Sequence, residues 1–339
     1  MNQTLKSNLF AGILIIVGIF GGLCLSIIFS FLNVPMPLIL VASQILLLLI
    51  PACFYFIITK APVKKTLRLN WPGWPTVLFS FLIAIFVQPF MMVLSALSSL
   101  FFTNDVANLI IELDSYPTLL LIAVIALTPA ICEEITMRGI LLSGYDEIDI
   151  KKAMLLNGLF FGMLHLNLQQ FLYAFALGAL FAYMVRLTNS IIPSMVAHFT
   201  INGSQVLLQK FLIFITKFTN EDITALTQEP TFAEKLISLA AVFVFALLIT
   251  PVAGILIYAL RNLYSKKNLK AETTREPLEV SGQYTLIESE DVYEGQETVI
   301  EPLETSGQKV FNWPVWVSIG LYIAYMGFTL VLEHLLSYL

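Results

Sequence analysis

Charge is scarce in this sequence. Only 12% of its 339 residues are Asp, Glu, Lys or Arg, against roughly a quarter in ordinary soluble domains. So little charge cannot cover a water-soluble globule of this size, which excludes a soluble enzyme. The 58% hydrophobic content excludes a disordered chain. A basic excess is also missing: the net charge is -5, so no nucleic-acid partner is expected. The three cysteines, Cys24, Cys53 and Cys132, lie inside apolar runs without metal or disulfide spacing and leave the redox compartment open. Histidine occurs three times. The H-E-x-x-H zinc signature is absent, as are a G-x-G-D aspartyl pair and a nucleophile serine in a G-x-S-G setting. Ser143-Gly144 has no histidine placed to serve it.

Long apolar runs fill the chain, and its mean hydropathy is +0.85. A membrane-crossing helix needs about 20 mainly apolar residues. Candidate spans run near Phe10–Leu32, Pro37–Thr59, Thr76–Phe102, Leu119–Met137, Met154–Asn167, Phe171–Val185, Ile191–Ile215, Leu236–Leu260 and Val315–Leu336. The expected fold is an all-α polytopic membrane protein. It has a core of about eight helices, then one C-terminal transmembrane helix after an acidic disordered linker. The fifth and sixth spans are short and flank Asn167, Gln169 and Gln170, so they form either a hairpin or a partly re-entrant pair. The first span is too long for a signal peptide and is followed at once by another span.

Lysine and arginine set the orientation. With the N-terminus and Lys6 in the cytoplasm, 15 of the 18 basic residues fall inside, and only Lys210, Lys217 and Lys235 fall outside. The outer loops carry Asp105, Glu112, Asp114, Glu221 and Asp222. The segment 265–310 is acidic and poor in apolar residues. Within it Glu276-Pro-Leu-Glu-Val-Ser-Gly-Gln283 returns as Glu301-Pro-Leu-Glu-Thr-Ser-Gly-Gln308. Such a composition cannot offset ordering entropy, so a cytoplasmic tether is expected. It is either a tolerated duplication or a docking peptide. The expected organisation is therefore N-terminal helices over 1–117, a motif-bearing region over 118–215, an outer loop and eighth helix over 216–264, the tether over 265–310 and the last helix over 311–339.

An ionisable side chain in hydrocarbon costs at least ~2.5–3.5 kcal/mol, so each needs a reason. Glu133, Glu134 and Arg138 end the fourth span, His165 sits in the fifth, and His198 and Asn202 sit in the seventh. Glu134 and Arg138 are four apart, on one helix face, and are placed to pair. Glu133 points about 100° away from Glu134, which leaves one carboxylate free. His198 and Asn202 also share a face, either as contacts between helices or as donors toward a common point. His165 is a packing residue or a third member of that group. His334 has no partner motif and is taken as interfacial. These spans are joined by short loops and should pack together. Their carboxylate, imidazoles and amide then make an inventory for water activation.

Three motifs carry a resemblance. Glu133-Glu134-Ile135-Thr136-Met137-Arg138 fits E-E-x-x-x-R, Phe161-Gly162-Met163-Leu164-His165 fits F-x-x-x-H, and His198-Phe199-Thr200-Ile201-Asn202 fits H-x-x-x-N. Over about residues 118–210 the chain resembles the CPBP (Abi) family of CAAX proteases and bacteriocin-processing or self-immunity proteins. Met137 departs from the aromatic residue that members commonly carry there. The resemblance implies an intramembrane endopeptidase; eukaryotic members remove the tripeptide after a prenylated cysteine. It implies that Glu133 is the base that activates water, that His165 helps hold the water, and that His198 and Asn202 stabilise the oxyanion. Glu134, paired with Arg138, would support them.

No cofactor is expected. The alternative is a zinc site of Glu133, His165 and His198, since members have been labelled metalloproteases. The expected partners are the lipid bilayer and a membrane-anchored or amphipathic peptide substrate, with the oligomeric state open. With Glu133 at the cytoplasmic end of its span, the site is expected to open toward the cytoplasm. A multi-pass protein of a bacterial plasma membrane is expected. The competing function is a non-catalytic self-immunity or membrane-binding protein. A transporter would call for an inverted repeat, and none is visible.

Overall fold

The computed structural model describes residues 2–103, 113–219, 229–273 and 310–336. Both copies of the acidic repeat, and Asp105, Glu112, Glu221 and Asp222 of the expected outer loops, lie outside the described residues. Among the described residues each expected span corresponds to one long helix. These are α1 (Gln3–Leu32), α2 (Met36–Thr59), α3 (Trp74–Ser99), α4 (Thr118–Leu141), α5 (Ile150–Leu164), α6 (Leu168–Thr188), α7 (Ile192–Phe218), α8 (Phe232–Thr273) and α9 (Trp313–Leu336).

Seven of them are long and apolar enough to cross a bilayer. The other two are α5 and α7. Helix α5 has 15 residues, about 22 Å at 1.5 Å per residue, which falls short of a bilayer core of about 30 Å. Helix α7 has the length, at 27 residues, but Asn202, Ser204, Gln205, Gln209 and Lys210 dilute its hydropathy.

Local chemistry explains the boundaries. Asn33 and Asn189, both left-handed, end α1 and α6, a conformation asparagine tolerates. Prolines 37, 75 and 193 sit in the first turns of α2, α3 and α7, where no backbone donor is needed. The Asp149 carboxylate accepts from the backbone amides of Lys151 and Lys152 and caps α5. Leu166 turns the chain at φ +48°, and Asn167 caps α6 by accepting from Gln170. The fifth and sixth expected spans are thus a helical hairpin.

That hairpin is closed by glycine. A Cβ on Gly158 would stand 2.6 Å from the Phe175 carbonyl oxygen, and one on Gly178 would stand 2.8 Å from Gly158 Cα. Small residues are what let membrane helices approach this closely. Gly158→Ala is therefore expected to destabilise the protein by about 1–3 kcal/mol or more, as overpacking does. A lowered thermal midpoint of the detergent-purified chain would show it; an unchanged midpoint would mean that α6 can slide away.

Below the hairpin, Met137, Leu141, Tyr145, Leu156 and Phe160 form one core with Ala11 and Ile15 of α1 and Val315, Tyr322 and Met326 of α9. Asn8 ties α1 to the start of α9 by donating to Asn312 Oδ1 (3.0 Å) and to the Val310 carbonyl (3.1 Å). Helix α8 lies along α3, where Thr76 and Tyr264 share a hydrogen bond of 3.0 Å. Leu248, Ile237 and Phe328 are among many large apolar side chains left exposed on the outside, as a lipid-facing surface requires.

The two ends of the bundle differ in charge. At one end lie Lys6, the Lys60–Arg68 connection, Lys151, Lys152, Arg186, Arg261 and Lys266. There Arg68 pairs with Asp146 and donates to the Arg138 carbonyl (3.1 Å). At the other end the basic residues are Lys210, Lys217 and Lys235, and each is paired. Asp114 takes Lys210 (2.8 Å) and Lys217 (2.6 Å), and Glu229 takes Lys235 (3.0 Å). The two ammonium groups hold the Asp114 carboxyl below the usual carboxylate range. This tie is present at neutral pH and is lost as pH falls through that lowered value.

Candidate active site

Helix α4 is wound irregularly where the acidic pair sits. Wide π turns over Ile122–Leu127 and Ile135–Leu141 bracket the α-helical stretch Thr128–Glu134. Such turns are rare and gather at functional sites. The first has a visible cause. Pro129 has no N–H, and its ring pushes away the carbonyl four residues back, that of Ile125. The freed Ile125 oxygen accepts instead from Asn202 Nδ2 at 3.0 Å, and the Thr128 hydroxyl donates to the Ala123 carbonyl at 2.9 Å.

The fourth span does not end at Met137. It continues to Leu141, so Glu133, Glu134 and Arg138 lie within the helix rather than at its end. Glu134 and Arg138 are both wholly buried. Glu134 Oε1 accepts from Arg138 Nη1 (3.0 Å) and from His198 Nδ1 (2.9 Å). Arg138 Nη2 donates to the Gly178 carbonyl (3.4 Å). Its guanidinium carbon lies 4.2 Å from the Phe161 ring centre and 5.1 Å from that of Phe181. The mutual pairing and the two aromatic faces offset part of the cost of burying these charges.

Glu133 turns the other way, into a cavity. Its Oε1 accepts from Gln44 Nε2 (2.9 Å). Its Oε2 stands 3.9 Å from His198 Nε2, beyond direct hydrogen bonding. The imidazole of His198 thus lies between the two carboxylates. Its Nδ1 must carry the proton, because an ion-paired carboxylate only accepts. The same reasoning fixes His165: Nδ1 lies 2.8 Å from the Phe161 carbonyl oxygen, so it donates there and leaves Nε2 uncommitted by that bond. His165 follows Leu164 as the C-cap of α5.

The cavity has a volume of about 260 Å³ and brings together Glu133, His165, His198 and Asn202. Sequence reasoning missed Gln44, Gln170, Tyr173 and Gln205, which also line it. An amide inside the apolar run 38–50 was the available signal for Gln44. Asn202 keeps one N–H after its bond to Ile125, so it holds the bent helix as well as facing the cavity. Among the described residues no three of His, Cys, Asp and Glu gather closely enough to hold a metal ion.

Beyond Glu133, on the lysine- and arginine-rich side, Met137, Arg138, Ile140 and Leu141 are buried. Other lining residues come from α2 (Leu40, Gln44), the first half of α4 (Val124, Ile125), the α5–α6 turn (His165, Gln170) and the middle of α7 (Gln205). A larger apolar cleft of about 1060 Å³ lies between α3 and α7, lined by Phe81, Phe199 and Leu207, and carries no titratable group.

Residues 115–204, from just before α4 to the middle of α7, match the family model "Type II CAAX prenyl endopeptidase Rce1-like". No curated protein and no solved structure matches the chain. The matched segment contains all three motifs and agrees with the CPBP resemblance. It is similar, at the level of the family, to membrane endopeptidases of the CAAX-protease type.

Proposed function

We propose that this protein hydrolyses a peptide bond of a membrane-associated peptide with a water molecule activated by Glu133. The observation that carries this reading is the division of labour between adjacent carboxylates. Glu134 is wholly buried and committed to Arg138 and His198, while Glu133 faces the cavity with Oε2 unengaged by Gln44.

In this mechanism Gln44 holds Oε1, and Oε2 takes a proton from a water bound between it and the imidazoles. His165 Nε2 accepts the second O–H and orients the lone pair. The oxygen attacks the scissile carbonyl and forms a tetrahedral oxyanion. His198 Nε2 and the remaining N–H of Asn202 donate to that oxygen. His198 donates there from Nε2 when both ring nitrogens carry hydrogen, since Nδ1 is committed to Glu134. Collapse breaks the C–N bond, and Glu133 returns its proton to the leaving amine. The reading needs no metal, so cleavage is expected to persist after exhaustive chelation. Loss on chelation with recovery on added Zn²⁺ would favour the zinc set instead.

The test is a survey of peptide termini in membrane and medium fractions. Cells making the wild-type chain are compared with cells making Glu133→Gln at equal abundance. Termini that require Glu133 would establish proteolysis and display the residues around the cleaved bond. Identical termini, with both proteins folded, would shift the reading to a binding or immunity protein.

A further inference from the structure

We propose that a row of uncharged side chains running on from the cavity along α7 is the subsite for the stretch of peptide next to the scissile bond. Gln205 and Gln209 hold the main chain there, and charged side chains are refused. The inference deepens the proposed activity and rests on it for the word scissile; peptide binding stands on the geometry.

The row begins in the cavity. His198, Asn202, Gln205 and Gln209 follow one another at intervals of four, three and four residues, which keeps them on one face of α7. From Asn202 to Gln209 is about 10 Å at 1.5 Å per residue, the reach of a few extended residues at about 3.3 Å each. His198, Asn202 and Gln205 line the cavity that holds Glu133, whereas Gln205 and Gln209 line a second chamber of about 390 Å³. The two spaces also share Tyr173, Leu177 and Ile201, so they adjoin.

The α3 side of the chamber satisfies itself. Ser204 donates to Gln88 Oε1 (2.8 Å), and the buried Gln169 donates to Ser95 Oγ (2.9 Å) and Ser99 Oγ (3.2 Å). These bonds tie α3 to α6 and α7 around the chamber. Gln209 differs. Its Oε1 is buried and has no hydrogen-bond partner among the described residues, and the same holds for Gln44 Oε1 in the cavity. A buried acceptor without a donor is costly. Two such oxygens, in two adjoining spaces, suit the N–H groups of an extended peptide, which need partners at membrane depth. Among the described residues no Asp, Glu, Lys or Arg lines the chamber, so a charged side chain would be buried there without a counter-ion. Gln205, Gln209 and all of α3 lie outside the matched residues 115–204, so this subsite is separate from the three motifs.

The experiment is selection from a randomised synthetic peptide library by the immobilised, detergent-purified Glu133→Gln chain. It needs no turnover, and the retained peptides are sequenced by mass spectrometry. The expected result is a short run in which Asp, Glu, Lys and Arg are depleted by about tenfold or more, as burying an unpaired charge at membrane depth demands. Adding Gln209→Glu, which keeps the shape and brings a carboxylate, should enrich Lys and Arg at one position of that run. A merely structural Gln209 would change the yield or the unfolding temperature, but not which sequences are retained. Should that variant not fold, Gln205→Glu carries the same test. Retained peptides without the bias, a bias that the new carboxylate leaves unchanged, or no retention at all would overturn the inference. The termini survey keeps the two readings apart. Selection as expected, with no Glu133-dependent termini in cells, would refute proteolysis and leave the subsite standing. Glu133-dependent termini that are identical for the wild type and for Gln209→Glu would refute the subsite and leave proteolysis standing.

Discussion

Glu133→Gln is expected to remove cleavage while leaving the protein folded. Removal of a positioned general base lowers turnover by about 10²–10⁴-fold. Here the same carboxylate also returns the proton to the leaving amine, so the loss belongs at the upper end of that range. The substitution keeps the shape of the side chain, and its amide oxygen can still accept from Gln44, which now donates to Glu133 Oε1 at 2.9 Å. Among the described residues no hydrogen bond reaches the second oxygen, which lies 3.9 Å from His198 Nε2. Thermal unfolding of the purified variant should therefore match the wild type within error, and the termini survey should lose its Glu133-dependent products. A folded variant that still cleaves at wild-type rate would mean that Glu133 is not the base.

Arg138→Met should act in the opposite way, on the fold before the chemistry. Glu134 and Arg138 are wholly buried, and the guanidinium supports Glu134, the Gly178 carbonyl and two aromatic faces at once. Removing one partner of a buried pair leaves an uncompensated charge and costs about 3–5 kcal/mol. That is comparable to the whole stability of a marginal domain. The variant should be recovered in low yield with a sharply reduced unfolding temperature. Adding Glu134→Gln to it removes the stranded charge and should restore much of the stability, since replacing a buried pair by neutral groups is often nearly neutral. Cleavage should stay low in the double variant, because Glu134 also holds the His198 ring at 2.9 Å. A single variant as stable as the wild type would show that His198 alone balances Glu134.

Much of the fold was legible in the chain. Apolar runs about 20 residues long have few alternatives in a bilayer, and each corresponds to a helix among the described residues. The three motifs were legible as well, because an ionisable group in an apolar run is conspicuous. The boundaries around the site were less so. Extending α4 past Met137 to Leu141 depends on Arg138 being covered by Phe161 and Phe181, which belong to other helices. The second duty of Asn202 was hidden too. It follows from the missing donor at Pro129, and that connects to α7 only once α4 and α7 lie side by side. Gln44 lay in an ordinary apolar span with no motif around it.

By itself, then, the sequence determined a polytopic helical membrane protein, the pairing of Glu134 with Arg138, and the candidacy of Glu133, His165, His198 and Asn202. Apolar length and helical spacing are local properties, and they act before any helix meets another. Only the tertiary structure decided that His198 lies between the two carboxylates, that Gln44 holds Glu133, and that Tyr173 and Gln205 line the same cavity. Each of these depends on the depth at which one helix packs against the next. That depth is set by contacts such as Gly158 against Gly178, between residues far apart in the chain.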